Sequence, residues 1–242
     1  MSSSKNNENY LLIVGSGPGI GLAVGRLFAQ KQFNRVAIIS RDSQRLEKDK
    51  QSIISAAEGK SLEVRTHSLD VAELPALRTT LDELKDFGTP ECIFFNAARV
   101  RPSPLLQADT KEIEYDFQIT NLALYEVAKW AMPALTSLAK STPDARPSII
   151  VTSSMLHIYP IPDMFSLSMT KAAQRTLVRC LSDRYAPQGV HCALISVGGV
   201  VDDKNDTVSA KTIAESIWAV YRQERGSFTF DVEVLEGIPS QV

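Results

Sequence analysis

Residues 10–22 read Tyr-Leu-Leu-Ile-Val-Gly-Ser-Gly-Pro-Gly-Ile-Gly-Leu, and this stretch decides the fold. Tyr10 to Val14 is a short apolar run of the kind that fills a fully buried strand. Beyond the glycines, Leu22, Val24, Leu27 and Phe28 recur at helical spacing. The order is therefore strand, glycine turn, helix. Glycine admits positive φ and lets backbone come close to a ligand. The start of the following helix presents unpaired N–H groups and the positive end of its dipole, which suits a pyrophosphate. The spacing over Gly15, Gly19 and Gly21 is Gly-x₃-Gly-x-Gly, not the Gly-x-Gly-x₂-Gly of many dinucleotide sites. On its residues alone the turn predicts nucleotide binding, with a purely structural glycine turn as the competing reading.

The chain has 242 residues, enough for one large α/β domain with a well-buried core. Its formal net charge of −2 gives no sign of a nucleic-acid or anionic-membrane partner. Residues 1–9 form a polar, Ser/Asn-rich tail, expected to be disordered and lacking the apolar core of a signal peptide. Residues 10–242 are expected to form the single domain. No apolar run approaches the length of a membrane span. Cys92, Cys180 and Cys192 are odd in number and scattered, which predicts reduced thiols in a cytoplasmic protein and no metal site.

Six further apolar or alternating segments read as strands, at 35–40, 61–67, 91–96, 148–153, 190–197 and 228–234. Helical patterns lie between them. Asp42 or Ser43 can cap a helix that runs to 57, and Leu74, Leu77, Leu81 and Leu84 form an apolar stripe. A proline-rich loop, 99–107, leads into helical sequence over 109–139. A loop at 157–162 precedes a helix over 163–185 that Asp163 can cap, and a last helix covers 207–222. Alternating strands and helices predict right-handed crossovers and a Rossmann-type, doubly wound parallel sheet of about seven strands flanked by helices. Ligands of such sheets bind at the carboxyl ends of the strands. Those ends are the Gly15 turn, Ser40-Arg41, the residues after Asn96, Ser154 and Gly198. Leu69, Val71, Phe94 and Phe95 read as core.

From about residue 10 to 235 the chain resembles the short-chain dehydrogenase/reductase family of NAD(P)-dependent enzymes. Gly15-Ser16-Gly17-Pro18-Gly19-Ile20-Gly21 matches the family's cofactor turn, and the resemblance makes Gly15, Ser16, Gly19, Ile20 and Gly21 cofactor-binding residues. Asp70-Val71 resembles the segment whose Asp meets the adenine. Asn96-Ala97-Ala98 resembles the family's Asn-Ala-Gly. Asn121 sits where the family has an Asn in the helix lining the site. Ser154 resembles the active-site Ser, and Lys171 the active-site Lys, which also touches the ribose. Gly198 and Val200, after the sixth strand, complete the implied cofactor set, although Val197-Gly198-Gly199-Val200 replaces the usual Pro-Gly.

One departure outweighs these matches. The family's general acid is a Tyr four residues before the Lys and about thirteen after the Ser, and here both spacings point to Leu167. Losing general acid catalysis typically costs about 10²–10⁴-fold in rate. Replacement donors could come from His157, Tyr159, Asp163, Ser166 or Ser168, of which Tyr159 carries the same group as the missing one. NAD-preferring sites end the second strand with an acid. Here Ser40 and Arg41 hold that place, which favours NADP(H) over NAD(H). Arg99 and Arg101 could hold an anionic group or simply face solvent. Three readings stay open: an NADP(H)-dependent oxidoreductase acting on a small molecule with an atypical proton donor, a non-redox enzyme on the same fold, and a catalytically silent nucleotide-binding protein. The resemblance also implies a homodimer or homotetramer through the helices at 109–139 and 163–185, with Tyr125, Trp130 and Met132 as contact residues. The short segment at 201–209 suggests an open substrate site.

Overall fold

The computed structural model describes residues 9–238. The expected disorder of the N-terminal tail lies outside these residues, except that Asn9 already belongs to the first strand. The strands are β1 (Asn9–Val14), β2 (Arg35–Ser40), β3 (Glu63–Ser68), β4 (Thr89–Phe95), β5 (Ser148–Ser154), β6 (His191–Gly198) and β7 (Asp231–Leu235). They form one parallel sheet in the order β3-β2-β1-β4-β5-β6-β7. The chain leaves β1 toward one edge and returns through β4 toward the other, so the winding reverses between β1 and β4. The crevice at their carboxyl ends is where such sheets place a ligand.

Both faces of the sheet are covered, which is why β1 is apolar at consecutive positions rather than alternate ones. Leu12 and Val14 join a core layer with Leu77, Leu81, Val127 and Val178, while Leu11 and Ile13 join the opposite layer with Val24, Phe28, Ile53 and Ile217. The first layer is built on α3 (Leu74–Glu83), α5 (Ala123–Ser141) and α6 (Phe165–Tyr185). The second is built on α1 (Ile20–Lys31), α2 (Ser43–Ala56) and α7 (Ala210–Tyr221). Phe94, Phe95 and Val71 are buried as expected, and Leu69 packs against the first layer while partly exposed. Cys92 and Cys192 are buried free thiols, and Cys180 is an exposed one.

Two local expectations change. The single helix expected over 109–139 is α4 (Thr110–Phe117), a π-helical segment (Gln118–Leu122) and then α5. The π segment slips the backbone register at Asn121, where the helix meets the site. Asp163 does not cap α6: the residue before that helix is Met164, and the Asp163 carbonyl accepts from the Ser103 amide instead. Asp42 does cap α2, accepting from the Arg45 amide at 3.0 Å. Of the three residues expected at an oligomer surface, Tyr125 is exposed, Trp130 packs partly buried against the core and Met132 is buried.

Candidate functional site

The site begins at the glycine turn. Gly15 has φ +97°, and a Cβ there would lie 2.6 Å from the Ala97 amide nitrogen, so only glycine lets the turn lean on the segment after β4. Gly17 and Gly19 face open space within 4 Å of a built Cβ. α1 has no side-chain cap, unlike α2, α4 and α7, which Asp42, Asp109 and Ser209 cap. The Leu22 and Ala23 amides bond the Gly17 and Gly19 carbonyls at 3.1 and 3.2 Å, which leaves the amides of Ile20 and Gly21, at the very start of the helix, without an acceptor among the described residues. Ser16 is fixed from beneath: its hydroxyl donates to Asp49 at 2.8 Å, and Asp49, fully buried, takes Arg45 Nε at 2.7 Å on its other oxygen.

The fold brings most of the expected cofactor residues together. Gly15 and Ser16, Ser40 and Arg41, Asp70 and Val71, and Asn96 and Ala97 line one cleft of about 210 Å³. Arg41 makes no ion pair within the described residues. Its closest partner is the Tyr115 hydroxyl at 3.4 Å. Tyr115 in turn donates a short hydrogen bond to Asp70, whose other oxygen accepts from the Ala72 amide at 3.0 Å. Arg99, by contrast, is spent. It pairs with Asp116 and Glu112, each at 2.6 Å, and stacks its guanidinium 4.7 Å from the Tyr115 ring centroid, while Arg101 also pairs with Glu112. An anion entering the cleft thus meets Arg41 uncompensated and Arg99 already neutralised. This open cradle beside an unpaired guanidinium fits a phosphorylated nucleotide.

Asn96 proves to be a strut. Its Nδ2 donates to the Gly15 carbonyl at 3.0 Å, and its Oδ1 accepts from the Thr152 hydroxyl at 2.7 Å, so both ends are committed to the protein. The Thr152 carbonyl accepts from Lys171 Nζ at 2.7 Å, and Lys171 donates again to Gln174 Oε1 at 3.0 Å. Gln174 closes the path by donating to the Thr120 carbonyl of the π segment at 3.3 Å. Lys171 is only 4% exposed, and burial alone pushes its pKa down to about 7. When protonated it has a third hydrogen left for a ligand after these two bonds; when neutral both hydrogens are spent and its lone pair can accept instead. Asn121 is buried, donates to the Thr170 carbonyl at 3.1 Å and leaves its Oδ1 without a partner. Ser154 accepts from the Leu156 amide at 3.2 Å and keeps its own hydrogen free to donate.

The residues expected as replacement acids are mostly engaged elsewhere. Leu167 is buried. Ser166 donates to Asp116 at 2.6 Å. Ser168 donates to the Met164 carbonyl and accepts from the Ile161 amide, fixing the loop before α6. His157 places Nδ1 2.6 Å from the Ser154 carbonyl, which can only accept, so Nδ1 carries the hydrogen. Its Nε2 lies 3.6 Å from Asp231, which also takes Ser196 at 2.5 Å and lies 3.4 Å from Arg175. Tyr159 is 67% exposed, with no side-chain partner among the described residues. Ile20 is partly buried against the second core layer. Gly198 sits beside Met155, whose Cγ a Cβ would approach to 2.8 Å, and Val200 is 80% exposed. Sequence reasoning missed Thr152, Gln174, Asp49 and Tyr115. Their roles depend on partners 19 to 56 residues away or on another helix, and no local pattern marks them.

A family model described as short chain dehydrogenase matches residues 9–212. A curated relative, 3-dehydrosphinganine reductase TSC10B of Arabidopsis thaliana, is 25% identical over 186 residues, 77% of this chain. The match covers 53% of that relative, so the chain spans about half its length. Among solved structures, a metagenomic short-chain oxidoreductase in complex with NADP superposes with a TM-score of 0.81 at 21% identity, covering 95% of this chain and 98% of that one. An NAD⁺-bound xylitol dehydrogenase gives 0.79 at 19% identity, covering 96% and 100%. At these identities the two structures speak to the fold alone.

Proposed function

Starting from the fact that the chain belongs to the short-chain dehydrogenase family, we propose that it is an NADP(H)-dependent oxidoreductase acting on a carbonyl or alcohol group of a small molecule. The observation that carries the cofactor choice is Arg41, a guanidinium without a carboxylate partner at the end of β2, beside the open glycine cradle. A 2′-phosphate would be its natural counter-ion. When bound, the nicotinamide nucleotide supplies or accepts the hydride. The amides at the start of α1 would hold its phosphates, and Lys171 would meet a ribose hydroxyl, donating its third hydrogen when protonated and accepting through its lone pair when neutral. Ser154, with its hydroxyl hydrogen free, would polarise the substrate oxygen. Leu167 offers no proton. Because Ser166, Ser168 and His157 are bound elsewhere, the proton that balances hydride transfer comes from solvent or from an exposed side chain of the loop before α6, Tyr159 or Asp163.

Titration with NADPH and NADH in parallel tests this reading. NADPH should bind the more tightly, and Arg41→Ala should weaken NADPH at least tenfold while leaving NADH unchanged. Binding of neither nucleotide to the wild-type protein, or tighter binding of NADH than of NADPH, would refute it. The engagement of Ser166, Ser168 and His157 also favours a second reading, in which the nucleotide is held but no side-chain-assisted reduction occurs. Among the described residues no helix is long and apolar enough to cross a membrane. We further propose a homodimer or homotetramer through α5 and α6, supported by exposed Tyr125 and by the groove it lines with Met132, Leu181 and Tyr185. Sedimentation velocity tests it.

A further inference from the structure

Of the twelve large apolar side chains exposed among the described residues, eight stand on three loops. Those loops follow β4, β5 and β6, which are neighbours in the sheet, and they leave it next to Asn96, Ser154 and Gly198. Val100, 77% exposed, and Leu106 follow β4. Ile158 and Ile161 follow β5. Val200 follows β6. Single exposed apolar residues are ordinary on a soluble protein, but a group of them around one mouth is not.

The collar is held in place. The Ser103 amide donates to the Asp163 carbonyl at 2.8 Å, and the Leu105 amide to the Pro162 carbonyl at 3.0 Å, so the first two loops are zipped together. The third is short and folds on itself, with the Asp202 amide bonded to the Val208 carbonyl, and no helix forms between β6 and α7 to cover Val200. Leu106 is the sharpest case. It is 94% exposed and has φ +64°, the left-handed region. A leucine there gains nothing from burial and carries backbone strain, and such outliers gather at ligand sites.

We propose that this collar receives a long unbranched alkyl chain of the substrate, whose polar end reaches Ser154. The collar is continuous with the Ser154 end of the site. Its third loop carries Asp202, Asp203 and Asp206 against one lysine, Lys204, a balance that disfavours an anionic lipid surface. The assignment of the reacting group rests on the oxidoreductase reading. The assignment of the chain does not.

Calorimetric titration with unbranched methyl ketones of increasing length, with and without saturating NADPH, tests the proposal. Affinity should rise roughly two- to fourfold for each added CH₂ that the collar covers. Leu106→Asn, which keeps a residue tolerant of the left-handed backbone, and Val200→Ser should flatten that rise for the longest ketones. Ile54→Ser, an exposed apolar position on α2, should leave it intact, and thermal melts should show all three variants folded. Length-independent binding in the wild-type protein, or an unchanged rise in Leu106→Asn, would overturn the proposal even if NADPH binds. Absence of NADPH binding would instead remove the oxidoreductase reading, while the ketone series without nucleotide would still report on the collar. Co-sedimentation with phosphatidylcholine vesicles, or self-association, that disappears in Leu106→Asn would give the collar a bilayer or a second copy as its occupant and would equally overturn the proposal.

Discussion

Lys171 makes the stability of this protein depend on pH in an unusual direction. Burial brings the folded lysine down to about 7, from an ordinary value near 10.5. Above about pH 7 the native lysine is neutral while the unfolded one still binds a proton. The unfolded state therefore binds more protons, and stability rises with pH through this window, by up to about 1.4 kcal/mol per pH unit. Because the native group is still half protonated near its folded value, the gain between about pH 7 and 8.5 comes to roughly 1–2 kcal/mol. Cys92 and Cys192, pushed up to about 12 by burial, act in the opposite sense, but only as unfolded thiols ionise toward about pH 9. Burial also lowers His67 and His191, which add to stability in the same direction as pH rises through the ordinary histidine range, so urea unfolding of the nucleotide-free protein between about pH 7.5 and 8.5 isolates the lysine. In Lys171→Met the rise should vanish. The variant's absolute stability is less informative, because methionine removes a buried charge and also strips donors from the Thr152 carbonyl and Gln174 Oε1, at about 1–3 kcal/mol for each group left bare. Equal pH slopes in the two proteins, or a wild-type stability that falls over this range, would refute the reasoning.

Gly15→Ala should destabilise the fold by more than about 2 kcal/mol in urea titrations, since it combines a disfavoured φ with backbone atoms less than 3 Å from the new methyl group. Leu167→Tyr should raise NADPH-dependent carbonyl reduction by about 10²–10⁴-fold if the site is a reductase site without its acid, and no gain in the rate of NADPH consumption would favour the silent reading. Tyr115→Phe removes both the donor to Asp70 and the partner of Arg41, and about 1 kcal/mol for that linkage predicts roughly fivefold weaker NADPH binding by titration.

The seven strands and their order of appearance were legible because the inner strands are compact apolar runs ended by glycine, serine or asparagine, while the edge strands β3 and β7 alternate. Strand ends shifted by one to three residues, as at β7, which starts at Asp231 rather than 228. The π segment was not legible: the apolar spacing across Gln118–Leu122 continues that of the flanking helices, and the slip follows from how Asn121 and Thr120 dock on α6. The glycine turn announced a nucleotide cradle because its chemistry is local. Asn96 and His157 illustrate the opposite case. Each looked available for a ligand, and each has protein partners: Asn96 bonds the Gly15 carbonyl and the Thr152 hydroxyl, while His157 bonds the Ser154 carbonyl through Nδ1 and leaves Nε2 without a hydrogen bond, 3.6 Å from Asp231. Asp163 stood at a helix start with a suitable side chain, yet the bridge between Ser103 and Met164 set where the helix begins.

The path from Gly15 through Asn96, Thr152, Lys171 and Gln174 to Thr120 also changes what a retained residue signifies. Lys171 joins α6 to β5 through the Thr152 carbonyl and orients Gln174 within its own helix whether or not any reaction takes place, so it has a role in the fold apart from any chemistry. Its presence beside a missing tyrosine is therefore no vestige and no proof of surviving chemistry. The informative positions are those with no employment in the architecture. Arg41, which has no carboxylate partner among the described residues, and the hydroxyl hydrogen of Ser154, which has no acceptor there, are the two groups the architecture uses least, and a ligand test should begin with them.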